Sequence, residues 1–144
     1  MSRHPSAPAR AAFRCFERLR VRWAEIDAQQ IVFNGHYLSY FDTAVGAYWR
    51  ALALPYADTM AALGGELFVR KATLEYLDSA RYDELLDVGV RCERVGNSAI
   101  TLHCAVFRGE DCLVFGELVY VFAHAQARQP LSVPAELRAL LQGF

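Results

Sequence analysis

The spacing of apolar residues predicts one long helix in the first half of the chain. Between residues 34 and 52, apolar side chains recur at the i, i+3, i+4 and i+7 positions of one helix face. Asn34 opens this run and is predicted to be the N-cap, because its side-chain oxygen can accept a hydrogen bond from a first-turn amide. A helix of this length would extend about 27 Å, enough to cross a small sheet. The apolar positions are Tyr37, Leu38, Phe41, Ala44, Val45, Tyr48, Trp49 and Leu52.

Alternation with a period of two predicts strands before and after this helix. Arginines occupy most even positions of the first such segment, which is typical of a half-buried strand with one polar face. Gly96-Asn97 and Gly109-Glu110 are predicted hairpin turns, because both pairs suit the tight turns that join antiparallel strands. The predicted strands cover residues 13–23, 66–77, 86–93, 100–106 and 112–123, and shorter helices are predicted over 56–63 and 135–141.

This order of elements predicts an α+β fold, in which one antiparallel sheet wraps around a single long helix. Residues 13–144 are expected to form one domain, and residues 1–12, rich in Ala, Arg, Ser and Pro, a disordered tail. The apolar fraction is 54% and the charged fraction 22%. That excess of apolar surface, together with an exposed sheet edge, predicts a homodimer or a tetramer built from dimers.

Net charge, apolar runs and cysteine spacing argue against several classes of function. A net charge of -1 gives no general attraction for nucleic acid or for a membrane surface. No apolar run is long enough for a membrane span or a signal peptide, so a cytoplasmic protein is expected. The cysteines show no metal-ligand spacing, which predicts reduced thiols and neither a metal nor another cofactor. They are Cys15, Cys92, Cys104 and Cys112.

Asp27 and Asn34 are the residues with the clearest chemical potential. The first amides of a helix lack intrahelical acceptors and carry a partial positive charge, so they can hold a carbonyl oxygen as it becomes an oxyanion. A carboxylate on the preceding loop could attack that carbonyl or deprotonate a water that does. Asp27 lies seven residues before Asn34. This pairing points to acyl transfer to water.

The stretch from Arg22 to Tyr37, followed by an aromatic helix, is similar to the 4-hydroxybenzoyl-CoA thioesterase branch of the hotdog-fold thioesterases. The resemblance places Asp27 on the family's catalytic aspartate, Ile31-Val32 on its apolar pair, Asn34 on the residue that opens the helix and Tyr37 on its first-turn tyrosine. It covers most of residues 13–124.

One position departs from the family pattern. Gln30 stands where the family usually has glycine. If that glycine provides a positive φ, Gln30 must strain or reshape the loop that carries Asp27.

The resemblance implies a hotdog-fold acyl-CoA thioesterase. Asp27 would be nucleophile or general base, and the amide of Asn34, or that of Gly35, would bind the oxyanion. The acyl group would lie against Phe33, Tyr37 and Phe41. The nucleotide phosphates of CoA would meet Arg70, Lys71, Arg94 and Ser98, the last two at a hairpin that resembles the family's basic Gly/Ser turn.

Alternatives remain open at this point. Asp27 could only shape its loop through an Asx turn, and Glu25, two residues earlier, could share its face of a strand. A hotdog-fold hydratase or dehydratase would need a histidine facing an acid across the acyl chain, and His36 in the first helical turn is not well placed for that. A noncatalytic acyl-CoA binding module would keep the pocket without the chemistry.

Overall fold

A long helix lies against one face of an antiparallel sheet in this chain. The computed structural model describes residues 4–143. Its elements are β1 (Cys15–Arg20), α1 (His36–Ala51), α2 (Tyr56–Leu63), β2 (Gly65–Tyr76), β3 (Leu85–Val95), β4 (Ala99–Arg108), β5 (Asp111–His124) and α3 (Ala135–Gln142). The strand order is β1-β3-β4-β5-β2, and every neighbouring pair is antiparallel. The predicted α+β architecture and all of its main elements are therefore confirmed.

α1 packs mainly against β1, β3 and β4. Tyr37, Phe41 and Tyr48 on its inner face are almost completely buried, as the predicted apolar stripe requires. Leu38 differs, because 42% of its surface stays exposed. The helix therefore leaves a hollow between its first turns and the sheet, beside Leu38.

The predicted N-cap is wrong by one residue. α1 begins at His36, its N-cap is Gly35, and no side chain caps it. The reason is a turn in which the His36 N–H donates to the Phe33 carbonyl at 3.0 Å, which moves the helix start beyond Asn34. Glycine at 35 leaves room for the Phe33 ring, since a Cβ there would lie 2.9 Å from its Cε2 atom.

The first strand is shorter than its alternating pattern predicts. It ends at Arg20, and the chain then turns through a single turn of 3-10 helix at Trp23–Glu25. The Val21 N–H still donates to the Glu84 carbonyl at 2.9 Å, in register with the ladder, but the Glu84 N–H donates to the Arg81 carbonyl and does not return to Val21, which ends the pairing. This turn delivers the chain to the loop that carries Asp27.

That loop closes on itself through backbone hydrogen bonds. Ile26 and Val32 form an isolated antiparallel bridge, and the Asp27 N–H donates to the Ile31 carbonyl at 3.0 Å. Gln30 has φ 64°, so the position does require the left-handed conformation that the usual glycine would provide. Gln30 adopts that conformation directly, and the loop closes around it.

Part of the predicted disordered tail is structured. Arg10–Ala12 form one turn of 3-10 helix, and the Arg10 guanidinium contacts the Asp87 carboxylate at 2.8 Å. Arg18 on β1 contacts the same carboxylate at 2.9 Å. Residues 1–3 lie outside the described part of the chain. The N-terminal segment is thus attached to the outer face of the sheet by ion pairs.

The four cysteines lie on four different strands of the sheet. None of the four cysteines, all within residues 4–143, forms a disulfide, and Cys15 and Cys104 are buried. Within the same residues, no helix is both long and apolar enough to cross a membrane. The described chain also contains no cluster of three or more His, Cys, Asp or Glu side chains arranged to hold a metal ion.

The Asp87 ion pairs generate a prediction about pH and stability. The Arg18 hydrogen bond lowers the pKa of Asp87, burial partly opposes this, and Arg10 lowers the pKa further, so it lies below its usual value. A depressed carboxyl pKa stabilises the fold above the ordinary aspartate range, roughly pH 4, and this contribution is lost as pH falls through the folded-state pKa. Asp87→Asn should lower the free energy of unfolding by about 2 kcal/mol at pH 7.

Urea denaturation at pH 7 and pH 3 measures this, and the difference between Asp87→Asn and the parent chain should shrink at pH 3. The matched control is Asp83→Asn, which removes an exposed ion pair with Arg20 and should change stability by less than about 1 kcal/mol. Equal effects of the two substitutions at pH 7 would contradict the structural role given to Asp87.

Candidate active site

Asp27 both shapes its loop and keeps one oxygen available. Its Oδ1 accepts the Gln29 backbone N–H at 2.8 Å, which is the Asx turn considered above. Its Oδ2 accepts no hydrogen bond from residues 4–143. The side chain is half-buried. The turn therefore fixes the orientation of the carboxylate and leaves Oδ2 able to contact a ligand.

The backbone at the start of α1 presents two unused donors. Neither the Asn34 nor the Gly35 N–H meets an acceptor within the described residues. The next amide, that of His36, is already bonded to Phe33. Tyr76 at the end of β2 donates its hydroxyl hydrogen to the Asn34 carbonyl at 3.2 Å, which ties the helix start to the sheet edge. These two amides sit at the positive end of the helix dipole and can bind an oxygen that gains negative charge.

Two predicted acyl-contact residues lie in the core instead. Tyr37 and Phe41 are 2% and 0% exposed. The Tyr37 hydroxyl accepts the Ala80 N–H at 2.9 Å, and the Ala80 carbonyl accepts the Val32 N–H. Tyr37 therefore supports the Asp27 loop rather than lining an open cavity of this chain. Phe33 is exposed and packs its ring over Gly35.

An apolar hollow lies beside the first two turns of α1, where the helix leaves the sheet uncovered. Its volume is about 480 Å³. Leu38 on the helix faces Val69, Leu118 and Tyr120 on the sheet, and Asp42 is the charged group on its rim. Sequence analysis assigned Leu38 to the core because it shares the apolar stripe. Leu38 lies at the border of that stripe. Only the position of the sheet shows that a residue at this border lines a cavity.

A basic groove collects three of the predicted phosphate-binding residues. Arg70, Arg94 and Ser98 line a groove of about 610 Å³ at the hairpin end of the sheet. Arg128 joins them, with its guanidinium 4.6 Å from the centroid of the Phe68 ring. Within residues 4–143, none of these three arginines has a carboxylate partner. Three unpaired guanidinium groups around one groove suit an anionic ligand.

Two residues modify the predicted phosphate site. Lys71 is absent from the lining of the basic groove, and its Nζ lies 3.8 Å from a Glu117 oxygen. Arg128 was missed by sequence analysis, since it lies in a loop with no motif and has φ 58°. Val69, on the edge strand, borders both the basic groove and the apolar hollow. On β5, Val121 and Ala123 line the groove, whereas Leu118 and Tyr120 line the hollow, so the two lie on opposite faces of the sheet.

The C-terminal helix holds the hairpin that forms one wall of the basic groove. Arg138 on α3 donates to the Val95 and Gly96 carbonyls at 3.1 and 2.9 Å. The Asn97 carbonyl accepts the Val133 N–H at 2.8 Å. These bonds keep Arg94 and Ser98 in place although both lie at a strand end.

Comparison with known proteins agrees with this architecture. The thioesterase superfamily profile matches residues 29–115. A curated protein of Aquifex aeolicus (strain VF5), whose name assigns it provisionally to the esterases, is 34% identical over 97 residues, covering 67% of this chain and 74% of that protein.

Solved structures show the same fold. A protein of Pseudomonas aeruginosa strain PAO1 superposes with a TM-score of 0.80 and 26% identity over 94% of each chain. DHNA-CoA thioesterase from Staphylococcus aureus superposes with a TM-score of 0.81 and 19% identity over 90% of this chain and 89% of that one. The predicted hotdog fold is therefore confirmed. The profile match and the Aquifex relative show that this chain belongs to the thioesterase superfamily.

Proposed function

We propose that this protein is an acyl-CoA thioesterase that hydrolyses a thioester to a carboxylic acid and free CoA. The observation that carries the proposal is the pairing, on one closed loop, of an unpartnered carboxylate oxygen with two unpaired backbone amides. Family membership supports thioester hydrolysis as the general activity. The residue roles below are our assignment.

The chemistry needs only groups already present in the loop. The Asn34 and Gly35 amides would receive the thioester oxygen and stabilise the negative charge that develops on it. The Asp27 Oδ2 would attack the carbonyl carbon or remove a proton from a water that attacks it. In the direct route, water forms the new C–O bond, the C–S bond breaks, and the thiolate takes up the proton that Asp27 removed. In the covalent route, Asp27 forms the C–O bond of a mixed anhydride as the C–S bond breaks, and a water then hydrolyses the anhydride to the acid, restores the carboxylate and supplies the proton of the thiol. No metal or redox step is required.

The apolar hollow and the basic groove would bind the two ends of the substrate. The groove offers Arg70, Arg94 and Arg128 to the nucleotide phosphates of CoA. The hollow beside Leu38 offers apolar walls to the acyl group. Because Val69 at the sheet edge borders both, an extended ligand that occupies them together would pass around this edge.

We also propose that the working unit is a homodimer or a dimer of dimers. β2 is a 12-residue strand at the edge of the sheet. Val69 and Tyr76 on it are 56% and 51% exposed, which is unusual for large apolar side chains on a solvated edge. A partner at this edge would cover the side of the sheet that α1 leaves open and would complete the walls of the apolar hollow.

The Asp27 role predicts that Asp27→Asn folds normally but loses about 10² or more in kcat, the scale of a lost general base. Asparagine keeps an oxygen that can accept the Gln29 N–H, so the Asx turn should survive. Thiol release measured across short, long and aromatic acyl-CoAs tests both the activity and the variant. The control is Asp58→Asn on α2, which lines neither the hollow nor the groove. Thiol release by Asp27→Asn at the rate of the unaltered enzyme would move the chemistry elsewhere.

The amide role predicts opposite results from two substitutions at one position. The Asn34 side chain makes no hydrogen bond in the described structure, so Asn34→Ala should change both stability and kcat little. Asn34→Pro removes an N–H that has no protein acceptor, and it should lower kcat by roughly 10² to 10³. Steady-state kinetics of folded variants, checked by circular dichroism, decide this. Equal loss in both variants would assign the function to the side chain; full activity in both would leave the Gly35 amide as the donor.

The groove assignment predicts a substrate-dependent effect of Arg94→Gln. The KM for an acyl-CoA should rise about tenfold, the scale of one lost charge-assisted hydrogen bond, while kcat stays unchanged. The KM for the same acyl group on N-acetylcysteamine, which lacks the nucleotide, should not change. Arg14→Gln is the matched control, because Arg14 is exposed, is also without a carboxylate partner in the described chain, and lies outside the groove. An equal rise in KM for both thioesters would contradict the assignment.

A further inference from the structure

Glu25 is a buried carboxylate that the proposed chemistry does not use. Its Oε1 accepts the Tyr40 hydroxyl hydrogen at 2.9 Å and the Arg22 backbone N–H at 2.8 Å. Its Oε2 accepts the Arg22 Nε–H at 3.1 Å. Only 8% of the residue is exposed. Both oxygens are therefore occupied, unlike Oδ2 of Asp27 on the same loop.

The backbone of Glu25 also supports the helix start. Its carbonyl accepts the Phe33 N–H at 3.0 Å. Phe33 immediately precedes Asn34 and Gly35, whose amides are free, and Glu25 lies two residues before Asp27. One residue thus joins the interior of α1, through Tyr40, to both ends of the Asp27 loop.

The electrostatics suit a fixed anchor better than a base. Burial raises the pKa of Glu25, but the hydrogen bonds from Arg22 and Tyr40 outweigh it and hold the pKa below its usual value. Burial and the bond to Glu25 raise the pKa of Tyr40, so the phenol keeps its proton. An ionised acceptor and a protonated donor form a charge-assisted hydrogen bond, which is stronger in a site with little water.

We propose that Glu25, held by Tyr40, is a positioning residue that sets the geometry between the Asp27 carboxylate and the free amides of Asn34 and Gly35. This inference rests on the proposed thioesterase function. Misplacing reacting groups by about 1 Å can lower a rate 10²-fold. Loosening this anchor should therefore reduce kcat without weakening the contacts that bind CoA in the basic groove.

The first test removes one hydroxyl. Tyr40→Phe should lower kcat about 10- to 100-fold and change KM less than threefold. The matched control is Tyr56→Phe, which deletes a hydroxyl with a similar environment: Tyr56 donates to Glu66 at 2.8 Å and accepts the Leu67 N–H at 3.2 Å, away from the loop. Tyr56→Phe should leave kcat unchanged. Equal kinetics in the two variants would overturn the positioning role.

Glu25→Gln separates positioning from general-base catalysis. Glutamine keeps Oε1 for the Tyr40 hydroxyl and the Arg22 backbone N–H and loses only the acceptor of the Arg22 Nε–H, so the variant should retain more activity than Glu25→Ala. The acid limb of its kcat–pH profile should stay where it is in the unaltered enzyme, because Glu25 exchanges no proton with the substrate. Disappearance of that limb in Glu25→Gln, with the protein folded, would make Glu25 the base and overturn the inference.

Amide hydrogen exchange tests the anchor without relying on activity. In Tyr40→Phe, exchange at the Phe33 N–H should accelerate at least about tenfold, while buried amides of β4 exchange at their original rates. Unchanged exchange at Phe33 would overturn the inference, as would faster exchange with unchanged kcat. If Tyr40→Phe does not fold, Glu25→Gln replaces it in the same comparison. If the unaltered protein releases no thiol from any acyl-CoA, the proposed function fails, and exchange at Phe33 still decides whether Glu25 and Tyr40 fix the loop.

Discussion

The short backbone ladder between Glu25 and Phe33 is the constraint on which the site depends. Its hydrogen bonds close the loop around Asp27 and bring the chain back to the start of α1. Because the ladder ends at Phe33 and a turn follows, the helix starts at His36 without a side-chain cap. The Asn34 and Gly35 amides stay free because both precede the first helical residue and meet no acceptor among the described residues. The missing cap itself costs some helix stability.

The same constraint accounts for the strain at Gln30. A left-handed residue is unfavourable for any side chain with a Cβ, by about 1–2 kcal/mol, and yet the loop closes only with φ 64° at this position. Hydrogen bonds around the loop compensate for this strain. Tyr37 bonds to Ala80, Ala80 bonds to Val32, and Tyr40 bonds to Glu25. Two tyrosines from adjacent turns of α1 therefore brace the two sides of the loop. The helix that follows the Asp27 loop therefore makes that loop rigid.

The incomplete cover of the sheet has a second consequence. α1 packs mainly against β1, β3 and β4, and a hollow remains between its first turns and the edge of the sheet, lined by Leu38 and Val69. Leu38 and Val69 would be badly placed in an isolated soluble domain, since both remain exposed. Substrate and a partner subunit are the two occupants that would give this surface a use. The apolar excess in the composition and the exposed edge of the sheet are thus two aspects of one feature.

Sequence patterns predict the helices and strands better than they predict the cavities and grooves between them. The alternation along β3 and β4 and the helical stripe from Tyr37 to Tyr48 were sufficient for the fold, because burial imposes those periods directly. Tyr37 and Phe41 satisfied the same stripe and were mistaken for pocket walls, since periodicity does not say which side of a helix faces a cavity. Arg128 carries no motif, and it reaches the groove only because β2 and β5 are neighbours. The pairing of Glu25 with Tyr40 spans 15 positions and depends on the turn at Trp23–Glu25.

The central claim is that the free amides at the start of α1 hold the carbonyl oxygen of an acyl-CoA. A crystal structure with a ketone analogue, in which CH2 replaces the thioester sulfur so that no cleavage occurs, tests it most directly. Our account predicts the ketone oxygen about 2.7–3.1 Å from the Asn34 or Gly35 nitrogen, with the carbonyl carbon facing Oδ2 of Asp27. A ketone oxygen bound more than about 4 Å from both nitrogens, in a complex with the nucleotide ordered, would contradict it.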